Sequence, residues 1–274
     1  MEGNAISKKV TAIEELQEIF RQAQQEGTPV SLYRDNQADG IALDLSEWNE
    51  MEVFDLDNLM VIVPPGILLK DIQAVALDKG IRFIPAETPA YASMSVGEWA
   101  YRGCPNPGSL KFGAGKHFLL GASYVLPSGD LIKVGGMCIK NVTGYDLTRF
   151  LSGPYADLAV GVRYVIKLMP QPIARKRFEY RVESTEKAAE LVKVLNGRSV
   201  PPAWLYWFDS AVGSKLFGTE QTGERVMFEL DGNQAELERE QTEIGERLAG
   251  IGQHADVIAE LPDMSFLENE TDAF

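Results

Sequence analysis

Ile139-Lys140-Asn141-Val142-Thr143-Gly144-Tyr145-Asp146-Leu147-Thr148-Arg149-Phe150, with the run that continues to Pro170, is the stretch on which the fold turns. Its punctuation predicts a loop ending at Gly144, a short helix, and an apolar strand over 158–169 closed by Pro170 and Pro172. Asp146 suits a helix N-cap, with Arg149 one turn later as its ion-pair partner. Tyr145, Asp146 and Arg149 together would alternatively clamp a substrate carboxylate. The capping reading is preferred.

Upstream, Thr11-Ala12-Ile13-Glu14 reads as a capping box opening an amphipathic helix, with Ile13, Leu16, Phe20 and Ala23 on one face and Gly27 and Pro29 as its stop. Short β-type runs follow at 30–33, 41–45, 51–55 and 60–63. Pro64-Pro65-Gly66 then leads into a helix over 68–79 that Gly80 ends. Residues 85–113 are rich in Gly, Pro, Ser and Ala, which predicts a long ordered loop with one helical turn at 96–101. Pro127-Ser128-Gly129-Asp130 makes a hairpin of 118–126 and 131–134. From Arg177 the pattern becomes strand 178–182, helix 184–195, strands 203–208 and 225–231, helix 233–249 and strand 254–259, a β-α-β-β-α-β order.

The 274 residues carry a formal charge of −14, which argues against nucleic acid and anionic membrane surfaces as ligands. Residues 218–274 hold 15 Asp and Glu against 3 Lys and Arg, so −12 of that charge lies there, as a solvated tail or as a docking face for a basic partner. No apolar run approaches the ~18 residues of a membrane span, and the N-terminus lacks a signal-peptide pattern, so a cytoplasmic location is expected. Cys104 and Cys138 form no CxxC, and His117 and His254 form no His-x-x-His pair; no metal or iron–sulfur site of the chain's own is expected. Ser-His-Asp order, Walker loop and Rossmann glycine pattern are all missing, which disfavours hydrolase and nucleoside-triphosphatase readings.

Three further strings join the first: Ile41-Ala42-Leu43-Asp44-Leu45-Ser46, Ser95-Val96-Gly97-Glu98-Trp99, and Pro107-Gly108-Ser109-Leu110 with Phe112-Gly113. Together they resemble the PCMH-type FAD-binding fold of the vanillyl-alcohol oxidase superfamily, within it the FAD-linked 2-hydroxyacid oxidases and dehydrogenases and above all the D and E subunits of bacterial glycolate oxidase. The resemblance implies an α+β chain: a two-lobed FAD-binding domain over 1–174, with lobes of about 1–84 and 85–174, then a small ferredoxin-like cap domain over 175–274. It implies FAD as cofactor, held at Arg34 in a first loop, at Ser95, Val96, Gly97, Gly103, Gly108, Ser109, Phe112 and Gly113 in a second, and at Gly153, Leu158 and Val160 in a third. It also implies partners, namely a sister flavoprotein subunit and an iron–sulfur subunit. The chain would then serve electron transfer or assembly in a complex acting on glycolate or lactate. The alternative is a flavin-free pseudoenzyme with a structural or regulatory role.

The sequence departs from the family pattern in each loop. The first loop usually reads like Pro-Arg-Gly-Gly-Gly-Thr, but here 32–40 keeps only Arg34 and Gly40 and adds Asp35 and Asp39. Glu98 replaces the second glycine of the second loop, and Asp157 replaces a threonine of the third. An unpaired carboxylate facing a diphosphate at ~4 Å costs about 4 kcal/mol at an effective dielectric near 20. Pairing with Arg34, Arg102 or Lys111 would remove that cost. Relatives that oxidise 2-hydroxyacids use histidines beside the flavin, commonly with a divalent metal, and neither His117 nor His254 sits in a matching motif, so no catalytic residue is assigned. Trp204, Tyr206, Trp207 and Phe208 are an interface candidate, either lining the flavin side of a cap or packing one face of a sheet.

Overall fold

The computed structural model describes residues 5–32, 40–136, 145–198, 200–217, 223–248, 250–251 and 253–257. Arg34, Asp35, Asp39, Cys138, the first half of the opening motif and the acidic stretch beyond Val257 lie outside the described residues. The chain divides into two compact units. One comprises Met1–Glu87, Tyr91–Pro105 and Ala114–Pro170; the other comprises Thr88–Ala90, Asn106–Gly113 and Gln171–Phe274.

In the first unit, β1 (Ala5–Lys9), α1 (Ile13–Glu26), β2 (Val30–Leu32) and β3 (Gly40–Asp44) form a small lobe whose strands run parallel in the order β1-β3-β2. The N-cap of α1 is Ala12, and no side chain caps it. Thr11 N instead donates to Glu15 Oε2 at 3.0 Å, one residue beyond the expected box. Gly27, at φ 64°, closes the helix in the left-handed conformation that a side chain would disfavour. Leu16, Phe20 and Ala23 bury one face of α1 against Ile41, Leu43 and Leu45.

The rest of the unit holds β4 (Val53–Asp55), β5 (Met60–Val63), α2 (Leu69–Leu77), β6 (Ile81–Arg82), the latter half of α3 (Pro89–Ala92), α4 (Val96–Tyr101), β7 (Leu119–Val125), β8 (Leu131–Gly135), α6 (Leu147–Phe150), β9 (Val160–Lys167) and β10 (Met169–Pro170), while α5 (Ser109–Phe112) belongs to the other unit. Its five-stranded antiparallel sheet runs β4-β5-β9-β7-β8, and the expected hairpin is β7 with β8. The long loop over 85–113 folds into short helices, of which α4 was expected.

The other unit holds β11 (Ala174–Val182), α7 (Thr185–Asn196), β12 (Trp204–Phe208), α8 (Ser210–Phe217), β13 (Glu224–Gly232), α9 (Gln234–Leu248) and β14 (Gln253–Val257). The strand order β12-β13-β11-β14 with antiparallel pairing is that of a ferredoxin-like unit. Phe178, Tyr180, Val182, Val226, Phe228 and Leu230 alternate onto one face and pack with Ala188, Leu191 and Leu195 of α7 and Leu237 and Ile244 of α9. No described helix is long and apolar enough to cross a membrane.

Candidate functional site

Two loops of the first unit are laced at the start of α4. Val96 N donates to Ile67 O at 2.9 Å and Gly97 N to Pro65 O at 2.8 Å, while Ser95 Oγ accepts from Glu98 N at 3.2 Å. The first-turn amides that usually await an anion are therefore committed to protein acceptors. Gly66 sits where a Cβ would lie 2.2 Å from Leu45 O and 2.7 Å from Trp48 O, so only glycine lets the 64–67 turn pass against the 45–48 segment that follows β3. Trp99 anchors the other side of α4. It is fully buried, meets Phe83 edge-on at 5.5 Å, and donates through Nε1 to Pro105 O at 3.0 Å.

The structure brings two predicted residues face to face. Gly103 and Gly153 both have positive φ, and a Cβ on either would lie 3.3 or 3.1 Å from the other's Cα. Beside them Cys104 is buried with φ 59°. Burial pushes its thiol up to about 12, against the opposing pull of Lys116 and a Ser152 hydrogen bond. Cys104 is accordingly expected to resist a thiol-specific alkylating reagent at pH 8 in the native protein and to react fully once denatured. Mass spectrometry of the peptide containing it would show either result.

Two cavities lie within this unit, of about 560 and 650 Å³, and Ser31 and Leu43 border both. The smaller is bordered by Phe20, Val30, Leu32, Tyr101, Asp157 and Val160. The larger is mostly polar, with Ser7, Asp44, Ser46, Asp71, Ser95 and Glu98 in its wall. Among the described residues no Lys, Arg or His borders either cavity. Their carboxylates are nonetheless held locally. Glu98 pairs with Arg102 at 2.9 Å, and Asp157 Oδ1 accepts from Tyr101 Oη at 2.6 Å. Ser46 donates to Asp44 through both its amide at 3.0 Å and its hydroxyl at 2.6 Å, holding that carboxyl below its usual range.

The remaining predicted residues are divided. Val160 is buried at the edge of the smaller cavity and Val96 in the core, whereas Leu158 is half exposed. Gly108, Ser109, Phe112 and Gly113 belong to the second unit. There Trp204, Tyr206 and Phe208 share a cluster with Phe112 and Met227, whereas Trp207 is exposed. Lys111 is taken by Asp231, pairing with its carboxylate and donating to its carbonyl at 2.8 Å. Asp146 caps α6 by accepting from Arg149 N at 3.1 Å and pairs with its side chain at 3.3 Å, which bears out the capping reading. His117 is exposed, and among the described residues no cluster of three or more His, Cys, Asp or Glu is arranged to hold a metal. Sequence reasoning missed Gly66, Asp44 and Tyr101; only the Pro64-Pro65-Gly66 string signalled the first.

Residues 7–135 match the model of an FAD binding domain. Just under half of the chain thus resembles an FAD binding domain. This domain is similar to the Bacillus subtilis glycolate oxidase subunit GlcD, 29% identical over 170 residues that cover 62% of this chain and 36% of that protein. The Escherichia coli glycolate oxidase subunit GlcE is 29% identical over 61% of this chain and 47% of its own length. The D-lactate dehydrogenase of Archaeoglobus fulgidus is 35% identical over 48% of this chain and 29% of its own. The chain thus spans less than half the length of these relatives. The fold is also that of an alkyldihydroxyacetonephosphate synthase structure, with TM-score 0.77 and 12% identity over 97% of this chain and 54% of that one. The similarity is thus to glycolate oxidase subunits and a D-lactate dehydrogenase, whose named substrates are 2-hydroxyacids.

Proposed function

We propose that this chain is an FAD-carrying subunit of a cytoplasmic complex that oxidises 2-hydroxyacids of the glycolate or lactate type, with a catalytic flavoprotein sister and an iron–sulfur subunit as partners. Bound FAD would supply the hydride-accepting ring. The chain's own residues supply the cradle and the exclusion of unfavourable charge. The observation that carries the reading is the local pairing of two of the four carboxylates that depart from the family pattern: Glu98 is held by Arg102 and Asp157 by Tyr101. The glycine approaches at Gly66 and Gly103–Gly153 add the close backbone packing that a dinucleotide cradle needs. Arg34, Ser95, Val96, Gly97, Gly103, Gly153, Leu158 and Val160 are the proposed flavin contacts of the first unit.

The committed amides of α4 and the lack of a cation among the described cavity residues favour a second reading, a flavin-free structural subunit. The visible spectrum of the natively purified chain, before and after excess FAD and gel filtration, separates the two. Flavin bands near one per chain support the first reading; a chain that stays colourless overturns it.

The pairing also predicts opposite outcomes for two variants. Arg102→Ala releases the Glu98 charge and is expected to weaken FAD binding about tenfold, equal to about 1.4 kcal/mol, given that the pair is partly solvent-screened. Glu98→Gly, which restores the family's glycine, is expected to bind FAD at least as tightly as the parent. Fluorescence titration of flavin-stripped protein measures both.

A further inference from the structure

The outward side of α6 and of the turn that follows it is apolar. α6 packs on β7 and β8, and the buried positions of this stretch are Thr148, Leu151 and Ser152. Leu147 and Phe150, three residues apart on the outer side, are 40% and 43% exposed. A 3₁₀ turn over 156–158 repeats the pattern, with Ala156 and Ala159 buried and Tyr155 53% exposed. The two segments meet where the rings of Phe150 and Tyr155 stack at 4.5 Å with 13° between their planes. Tyr145, 95% exposed, leads into the helix, its carbonyl accepting from Leu147 N at 2.9 Å.

Exposed apolar side chains scattered singly need no explanation, but four within Tyr145–Tyr155, two of them stacked, make a patch. At about 200 Å² for a fully exposed large side chain, the four present roughly 450 Å². The largest apolar patch of an ordinary monomer is about 300–600 Å² and often functional. A standard interface hides about 800 Å² per partner, of which about 56–65% is apolar, so the patch supplies the apolar share of one side.

The charges at the patch select its occupant. Asp146 and Arg149 pair with each other at 3.3 Å, and Lys116 Nζ lies 3.5 Å from the carbonyls of Arg149 and Ser152. This face therefore offers no surplus of negative charge for a basic partner to answer. An identical patch related by a two-fold axis sets ring against ring and adds no unpaired carboxylate. Residues 218–274 carry −12 of the net charge of −14, so most of the repulsion between two copies originates outside the segment that holds the patch. At 0.15 M salt, exposed charges more than about 8 Å apart are largely screened.

We propose that Tyr145, Leu147, Phe150 and Tyr155 are the contact face of a two-fold symmetric homodimer. Aromatic rings are enriched in interfaces and dominate their energetics, and here two of them are already held by mutual stacking. The area lies at the low end for a lasting complex, so the dissociation constant is on the order of micromolar. The inference stands on this surface alone and holds with or without flavin.

Sedimentation velocity of the full purified chain between about 1 and 100 µM tests it. The expected mass rises with concentration from 30.3 kDa toward twice that value. Phe150→Glu, which puts a charge into the stack, is expected to weaken association at least about tenfold. Tyr145→Ser is expected to weaken it about threefold and to fold as the parent does, because the ring it removes is 95% exposed. Raising salt from about 0.05 to 0.5 M is expected to tighten the dimer by screening the like charges of two acidic copies. A chain still monomeric at about 100 µM overturns the proposal and leaves the patch to a different protein. Dimers indifferent to both substitutions overturn it too, as do dimers that loosen with salt, which mark a charge-driven contact elsewhere.

Discussion

Replacing Trp99 with alanine is expected to destabilise the protein by about 3–5 kcal/mol, the range for deleting a large buried aromatic. The indole is fully buried against Phe83, which in turn meets Phe118 edge-on at 6.2 Å, so the cavity would open in the middle of an aromatic chain with little freedom to collapse. The loss also removes the donor to Pro105 O, the Nε1 group 3.0 Å away. A fall in Tm of roughly 10 °C follows for a chain of this size. Thermal melts followed by circular dichroism measure it, and a drop of a degree or two would mean that α4 is not anchored by this ring. Trp99→Phe should recover much of the loss, because it refills the volume while leaving the Pro105 carbonyl unpaired.

Gly66→Ala is the second large effect, and it arises from backbone rather than from a side-chain core. The new Cβ meets the carbonyls of Leu45, Trp48 and Ser46 at 2.2, 2.7 and 2.8 Å, and carbonyl oxygens of an ordered chain cannot swing aside as a lysine tip would. The expected cost is about 3 kcal/mol, the upper part of the overpacking range. Displacing the 64–67 turn also pulls on the bonds from Val96 N and Gly97 N, so FAD binding should weaken by more than the loss in stability alone implies. Urea titration and FAD titration of the same variant check the two statements. Unchanged flavin affinity in a destabilised variant would separate the turn from the cofactor cradle.

The elements that could be read from the chain are those whose signal is local. The alternation of Phe178, Tyr180 and Val182 against Arg177, Glu179 and Arg181 marks a two-faced strand, and β11 is one. Strand β1 escaped notice because Ala5-Ile6-Ser7-Lys8-Lys9 is short and polar and becomes a strand only by pairing with Gly40–Asp44, far along the chain. Helix α8 was missed for lack of a clear stop and start between the Phe208 and Arg225 strands. At the candidate site, the Glu98–Arg102 pair was readable because its partners are four residues apart on one helix. The Tyr101–Asp157 bond spans 56 positions, and the need for glycine at 66 is imposed by carbonyls about twenty residues earlier, so neither has a local signature.

The segment Asn106–Gly113 has a further meaning for how such a chain can be inherited. It lies, in sequence, inside the flavin-binding half, yet Lys111 and Phe112 are claimed by Asp231 and Trp204 of the second unit. A recombination joint placed near Gln171 would separate a buried aspartate from its lysine and an aromatic cluster from one of its rings. Descendants that swap their last hundred residues with a cousin would need to exchange this eight-residue insert as well. The two halves are bound to diversify together, and chimaeras built at the obvious boundary should express poorly while those that carry 106–113 along should not.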